Sequence, residues 1–330
     1  MSEMPEQGHR PFVVSPGPHL LVADSTASIM WTVNATLAPA ALWGVVVFGL
    51  RALAVVLASI AGAAAAEWLG GRMLRRRPTV GDGSAVCTGL LLAMTLPPLL
   101  PGWAAFLGAA FAILIAKVMF GGLGYNLFNP ALIGRAFLMA TFPVAMTSGW
   151  SAPRPGLLAS LDAVTTATPL GALKEHGLEA ATRLIAGPGG WAGLALGLRP
   201  GSIGEVSAVL VLLGAAVLVA RGIITLTIPL AVFAGTAAIT AFSGAPLMHL
   251  LGGGLWLGAL FMATDYVTSP TTRAGQAVFG LVIGVLTGVI RLWGGYPEGI
   301  CYAILIANML VPALNLWFRP RRVAPLGSPS

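Results

Sequence analysis

The chain has 330 residues, of which 57% are hydrophobic and only 9% charged, and its mean hydropathy is +0.87. A soluble domain carries roughly 25% charged residues, so a water-soluble fold is excluded; the 43 glycines and 24 prolines predict membrane helices with breaks, because helices in lipid accept such residues where neighbouring helices satisfy the freed backbone. The net charge of +7 does not point to nucleic acid, since most basic residues sit at the ends of apolar runs, where they set topology.

Residues 1–27 read as a cytoplasmic segment that lacks the basic region, apolar core and small-residue cleavage site of a signal peptide. Apolar stretches able to cross a core of about 30 Å, roughly 20 residues each, fall near 28–48, 51–71, 84–100, 103–121, 127–147, 205–222, 224–243, 248–266, 275–292 and 299–318. The expected fold is therefore an all-α membrane protein of about ten spans. Spans one to five occupy 28–147, one long loop occupies 148–204, spans six to ten occupy 205–318, and 319–330 form a tail.

A cytoplasmic N-terminus places Arg10, Arg72, Arg75, Arg76, Arg77, Lys117, Arg221, Arg273, Arg319, Arg321 and Arg322 inside, as the positive-inside rule asks. Arg51 and Arg291 then fall in short outer turns. The 148–204 loop lies on the periplasmic side and carries Arg154, Lys174, Arg183 and Arg199. Lys117 and Arg291, at span ends, are expected to snorkel, and tryptophans such as Trp31, Trp43, Trp103 and Trp317 to form an interfacial belt.

The two halves share letters. Gly89 to Thr95 reads GLLLAMT and Gly258 to Thr264 reads GALFMAT; Lys117 with Phe120-Gly121-Gly122 finds a counterpart in Arg291 with Trp293-Gly294-Gly295. These matches predict a duplication of five spans. Because five is odd, the second unit must be inverted, an arrangement that places sites where broken helices from the two halves meet. Pro97-Pro98 interrupts span three, leaving 84–96 as a piece of about 20 Å, which reads as a half-helix.

Four places carry candidate chemistry. In the loop, Thr168 precedes Pro169, a good helix start, so a helix is expected over about 169–185 with Thr168 as its N-cap. Asn126 and Asn129 lie three apart before Pro130 and would share a face at a helix start, either as caps or as hydrogen-bonding ligands. Thr264 and Asp265 close span eight, and an acid so near the membrane core is by default a functional candidate, with interfacial snorkelling or a cap for the TSPTT turn as the structural alternatives. Arg135 is expected to face protein. Cys87 and Cys301 are too few for an iron–sulfur cluster, no histidines have metal-ligand spacing, and no metal site is expected.

The pattern Asp162-x-x-Thr165-x-Ala167-Thr168 resembles the flavinylation motif of the RnfD/NqrB family, in which the last threonine is joined through a phosphoester to FMN. GDGSAVCTGLLLAMTLPP (81–98), FGGLGYNLFNPALIGRAF (120–137) and GALFMATDYVTSP (258–270) resemble signatures of the same family, closer to its RnfD branch. The resemblance implies a bacterial inner-membrane subunit, without a catalytic residue of its own, of an ion-translocating ferredoxin/NAD oxidoreductase. It implies covalent FMN on Thr168, attached outside the cytoplasm by a flavin transferase, and a second, non-covalent riboflavin touched by Asn126 and Asn129, with Thr264 and Asp265 nearby. It also implies iron–sulfur, NADH-binding and further FMN-bearing subunits as partners, and coupling of electron transfer to Na⁺ or H⁺ movement. The rival reading is a channel or transporter for a small polar solute, resembling urea transporters in outline.

Overall fold

The computed structural model describes residues 25–75, 79–153, 167–186, 190–205, 207–296 and 298–319. Asp162, Thr165 and most of the two terminal segments lie outside the described residues. Every regular element among those described is a helix.

The first half opens with α1 (Thr26–Phe48) and α2 (Leu50–Met73), joined by Gly49 at φ 77°. A residue with a side chain would be strained in that tight reversal. Helix α3 (Ser84–Met94) spans only 11 residues, about 16 Å at 1.5 Å per residue, and stops short of Pro97-Pro98 as expected of a half-helix. Next come α4 (Gly102–Ile113), which runs into a π-helical turn over Leu114–Val118, and α5 (Pro130–Thr141). The expected span 127–147 is not continuous: Pro143, without an amide hydrogen, starts a separate helix α6 (Pro143–Ser148).

The connecting segment holds α7 (Pro169–Ala186) and α8 (Gly190–Leu196). Where the sequence predicts one helix over 169–185, the structure has a break at Gly177, whose φ of 80° and ψ of −175° are not helical. The second half contains α9 (Ala208–Ala220), α10 (Thr227–Thr240), α11 (Pro246–Leu251), the short α12 (Leu255–Leu257) with a π-helical turn over Gly258–Met262, α13 (Arg273–Trp293) and α14 (Ile300–Trp317). The expected span 248–266 is thus also broken, at Gly253 and Gly254, both with positive φ.

Four helices, α1, α2, α13 and α14, are long and apolar enough to cross a membrane, and shorter apolar helices complete the bundle. Large apolar side chains such as Leu42, Leu57, Leu213, Leu230 and Met309 point outward, an arrangement that lipid accepts and water does not. The chain is a helical membrane protein.

The two halves repeat one pattern of neighbours: α2 packs on α3 and α4, α10 on α13 and on the π turn after α12; α4 meets α5 as α13 meets α14; and α1 meets α3 as α9 meets α12. Across the halves, α1 contacts α9 and α5 contacts α14. Glycines permit the closest approaches, as small residues do between membrane helices. A Cβ on Gly62 would lie 2.4 Å from the Phe106 carbonyl oxygen, and one on Gly284 would lie 2.3 Å from that of Val232. Gly284→Val therefore forces α10 and α13 apart, at a cost of about 1–3 kcal/mol or more. A lowered thermal midpoint of the detergent-solubilised protein is expected, and an unchanged midpoint would contradict this packing.

Candidate cofactor cavities

Two cavities lie at the helix breaks. The first is a narrow cleft of about 790 Å³ of empty space, mouth included, between α1, α3, the Gly121–Asn129 turn and the Phe261–Val267 segment. Asn126, Asn129, Thr264 and Asp265 all line it, so the four residues singled out from sequence around 126–129 and 264–265 share one wall system. Their local bonds are also structural. Asn129 Oδ1 accepts from Ala131 N at 3.0 Å, capping α5, while its Nδ2 donates to the Met262 carbonyl at 3.2 Å in the other half. Asn126 precedes the helix in the turn, and its Nδ2 donates to the Phe128 carbonyl at 3.1 Å. Thr264 Oγ1 donates to the Leu260 carbonyl at 2.7 Å, and Asp265 Oδ2 accepts from Thr268 Oγ1 at 3.2 Å. The rest of the cleft is mostly apolar, with Leu91, Ile224 and Phe261 among its walls.

The second cavity, about 1170 Å³ of empty space with its mouth, is lined by Ala167, Thr168, Arg135, Trp150, Glu298 and the pair Tyr296 and Tyr302. The two tyrosine rings lie 5.1 Å apart at 26°. Thr168 is buried; its Oγ1 accepts from Gly171 N at 3.0 Å and its carbonyl from Ala172 N at 2.8 Å, so it caps α7 as the Thr-Pro start predicts. It also borders a smaller cavity of about 480 Å³ shared with Arg199, Glu205 and Glu298.

Buried cations join these cavities to the broken helices. Arg135 donates from Nη1 to the Thr95 carbonyl, at the C-terminal end of α3, and from Nη2 to the Glu298 carboxylate. Its partners are thus a carbonyl and a carboxylate. The expectation that Lys117 and Arg291 snorkel is corrected, because both are buried, at 2% and 3% exposure. Lys117 Nζ lies 2.7 Å from Glu67 Oε1 and 2.6 Å from Ser84 Oγ. Arg291 donates to the carbonyls of His249, Gly252, Gly253 and Glu298, the second and third at 3.1 and 3.0 Å. Each side chain turns inward because a broken helix or a buried acid offers acceptors that lipid cannot.

Outside the bundle, Lys174 on α7 donates to the Arg291 carbonyl at 3.2 Å and to that of Gly294, at the C-terminal end of α13. Partial burial pushes its ammonium below the usual lysine range. Glu67, Glu205 and Glu298 escaped the sequence reading, although an acid inside the apolar run AAAAEWLGG carried a signal. Cys87 and Cys301 are both buried and free, and the described residues hold no group of three or more His, Cys, Asp or Glu side chains placed for a metal ion.

The fold and its cavities define a class: a helical membrane protein with buried charge at its helix breaks. The chain belongs to the NQR2, RnfD, RnfE family, whose model matches residues 13–324. It is 45% identical, over 94% of its length and 95% of the relative's, to the D-subunit of the proton-translocating ferredoxin:NAD(+) oxidoreductase complex of Clostridium ljungdahlii. It is 43% identical, over 93% of its length and 94% of the relative's, to the D-subunit of the Na(+)-translocating ferredoxin:NAD(+) oxidoreductase complex of Acetobacterium woodii. A third relative, at 40% identity over 91% of this chain and 93% of its own, is the D-subunit of the ion-translocating oxidoreductase complex of Stutzerimonas stutzeri.

The buried Arg135–Glu298 pair supplies a test of this geometry. Removing one member leaves the other charge without its partner, a loss of about 3–5 kcal/mol. Glu298→Gln should lower the thermal midpoint more than the double replacement Arg135→Met with Glu298→Met. Equal or reversed losses would show that the pair is not closed in the folded protein.

Proposed function

We propose that the chain is the flavin-carrying membrane subunit of an ion-translocating ferredoxin:NAD(+) oxidoreductase complex, passing electrons between a covalent FMN on Thr168 and a second, non-covalent flavin, a riboflavin, in the cleft of Asn126 and Asn129. The observation that carries this reading is the position of Thr168: the last residue of the Asp162–Thr168 motif stands at the wall of the larger cavity, at the start of α7.

That cavity suits the group. A phosphoester on Thr168 Oγ1 would sit at the positive end of the α7 helix dipole, which favours negative charge. The stacked Tyr296 and Tyr302, with Trp150, offer flat apolar surface for an isoalloxazine, and Arg135 with Glu298 forms a polar floor. In the cleft, the amides of Asn126 and Asn129 can donate to and accept from the edge of a second isoalloxazine, with Leu91 and Phe261 covering its faces and Thr264 and Asp265 beside it. Bound flavins supply one- and two-electron chemistry; the protein holds, orients and shields them. Asp162, Thr165 and Ala167 complete the sequence that a flavin transferase would read.

The matched neighbour pattern of the halves supports two five-helix repeats of opposite orientation, ten spans in all. With the termini in the cytoplasm, Thr168 faces the periplasm and the cleft opens toward the cytoplasmic side of the inner membrane. The partners would be the other subunits of such a complex, with iron–sulfur, NADH-binding and FMN-bearing chains among them. The channel or transporter reading has weaker support, since the relatives reported above carry the names of oxidoreductase subunits and a pore needs no flavinylation motif.

Three outcomes are expected. On a denaturing gel under ultraviolet light, the chain made together with a flavin transferase fluoresces and Thr168→Ala is dark; a dark parent band or a bright Thr168→Ala band refutes the tether. Asn126→Ala combined with Asn129→Ala lowers extractable riboflavin and leaves the covalent FMN; undiminished riboflavin refutes the inner site. A cysteine at Ser160 reacts with an impermeant thiol reagent on intact spheroplasts, and labelling only after lysis would invert the topology.

A further inference from the structure

In this fold Thr168 is 8% exposed, and the buried Pro169, Leu170 and Ala172 follow it along the first turn of α7. Its Oγ1 is already engaged by Gly171 N at 3.0 Å. The cavity beside it has about 1170 Å³ of empty space, mouth included, which is room for a planar cofactor and far too little for the active site of a second protein. A hydroxyl that attacks phosphorus needs the phosphorus at roughly 3–3.5 Å and an enzyme base within hydrogen-bond reach. A transferase cannot supply both while Thr168 stays where it is.

Helix α7 has the construction of a movable arm. Its Leu170, Ala181 and Ile185 form an apolar cluster with Ala245 and Met248, separate from the main core, and Leu173 packs against that cluster. At Gly177, φ 80° and ψ −175° divide the helix, and a break of this kind can absorb a change of direction. The arm before the break, residues 169–176, is tied to the end of α13 by Lys174. Its ammonium donates to the carbonyls of Ile290 at 3.4 Å, Arg291 at 3.2 Å, Tyr296 at 3.4 Å and Gly294. Lys174 itself is exposed, so water can take its place at these carbonyls and the tie is a weak one. On the other edge Leu170 lies against the break between α11 and α12, where a Cβ on Gly253 would stand 2.6 Å from its Cδ1. Tyr296, whose carbonyl Lys174 holds, also lines the cavity beside Thr168. Seating the arm therefore fixes a wall of the site as well.

We propose that residues 169–176 are a latch, hinged at Gly177 and closed by Lys174, that opens to present Thr168 to the flavin transferase and shuts over the flavin once it is attached. The proposal rests on the reading of Thr168 as the flavin anchor. With the arm open, Thr168 Oγ1 attacks the flavin-side phosphorus of a flavin phosphoanhydride carried by the transferase. The Oγ1–P bond forms, the anhydride P–O bond breaks, the hydroxyl proton passes to a base of the transferase and a nucleoside monophosphate leaves; no electrons change hands. Only the open arm is a substrate, so the rate of attachment scales with the fraction of chains that are open. Once the arm closes, Lys174 takes the α13 carbonyls again and the ring system lies beside Tyr296 and Tyr302.

The test uses the full chain, made in cells without the transferase and purified in detergent. Purified transferase and a flavin dinucleotide are added, and the initial rate of labelling is read from fluorescence on denaturing gels. Lys174→Met removes the tie and should label roughly threefold faster or more, while Lys174→Arg, which keeps the charge and its donors, stays near the parent. A second variant locks the arm: a Cβ on Gly252 would lie 3.5 Å from Leu170 Cγ, so Leu170→Cys with Gly252→Cys brings two thiols within bridging range. Oxidised, this pair should label at least tenfold more slowly than the same protein after reduction. Equal rates in the oxidised and reduced pair, or a parental rate in Lys174→Met, overturn the latch; the second result decides alone where the pair does not bridge. Failure of the underlying reading looks different, because then no arm of the experiment fluoresces, Lys174→Met and the reduced pair included.

Discussion

In a bilayer core there is no water to take up a carbonyl that a helix has released, so every break in a membrane helix must bring its own donors. This chain breaks its helices repeatedly and meets the demand with buried cations. Arg135 takes the Thr95 carbonyl where α3 stops before Pro97-Pro98, and Arg291 takes those of His249, Gly252 and Gly253 where α11 gives way to α12. Outside the bundle, the exposed Lys174 of α7 takes the Arg291 and Gly294 carbonyls at the C-terminal end of α13. Each cation therefore links two elements at a point where an apolar side chain would leave backbone groups stranded.

The same placements make room. Because α3 ends after 11 residues and α12 is a single turn followed by a π turn, the bundle cannot close at its centre, and cavities remain at the broken ends. The cleft of Asn126, Asn129, Thr264 and Asp265 combines a turn in the first half with the end of a broken helix in the second. The larger cavity combines the start of α7 with the first turn of α14. Under the proposed function this separation would hold two planar cofactors apart, with Arg135 and Glu298 beside one cavity and Asp265 and Lys117 beside the other.

Much of this architecture was legible in the letters. Hydropathy found the apolar stretches because a lipid-facing helix must be apolar over most of its surface, and Pro97-Pro98 announced the short α3 because proline cannot continue a hydrogen-bond ladder. Thr168 was readable as a helix cap from Thr-Pro, and the geometry shows that cap; the longer motif makes it the proposed flavin anchor, and it borders a cavity. The fates of Lys117 and Arg291 were not legible. Whether a cation at a span end reaches for water or turns inward depends on acceptors supplied by residues 50 or 42 positions away in sequence, which no local pattern reveals. The partnership of Arg135 with Glu298 was hidden for the same reason, since the two lie 163 positions apart in sequence.

A density map of the assembled complex at a resolution that shows flat ring systems is the most direct measurement of the central claim. The account predicts one planar density beside Tyr296 and Tyr302, continuous with Thr168 Oγ1 through a phosphate, and a second, unattached, against Asn126 and Asn129. Lipid or solvent in both places, with an unmodified threonine, would contradict it.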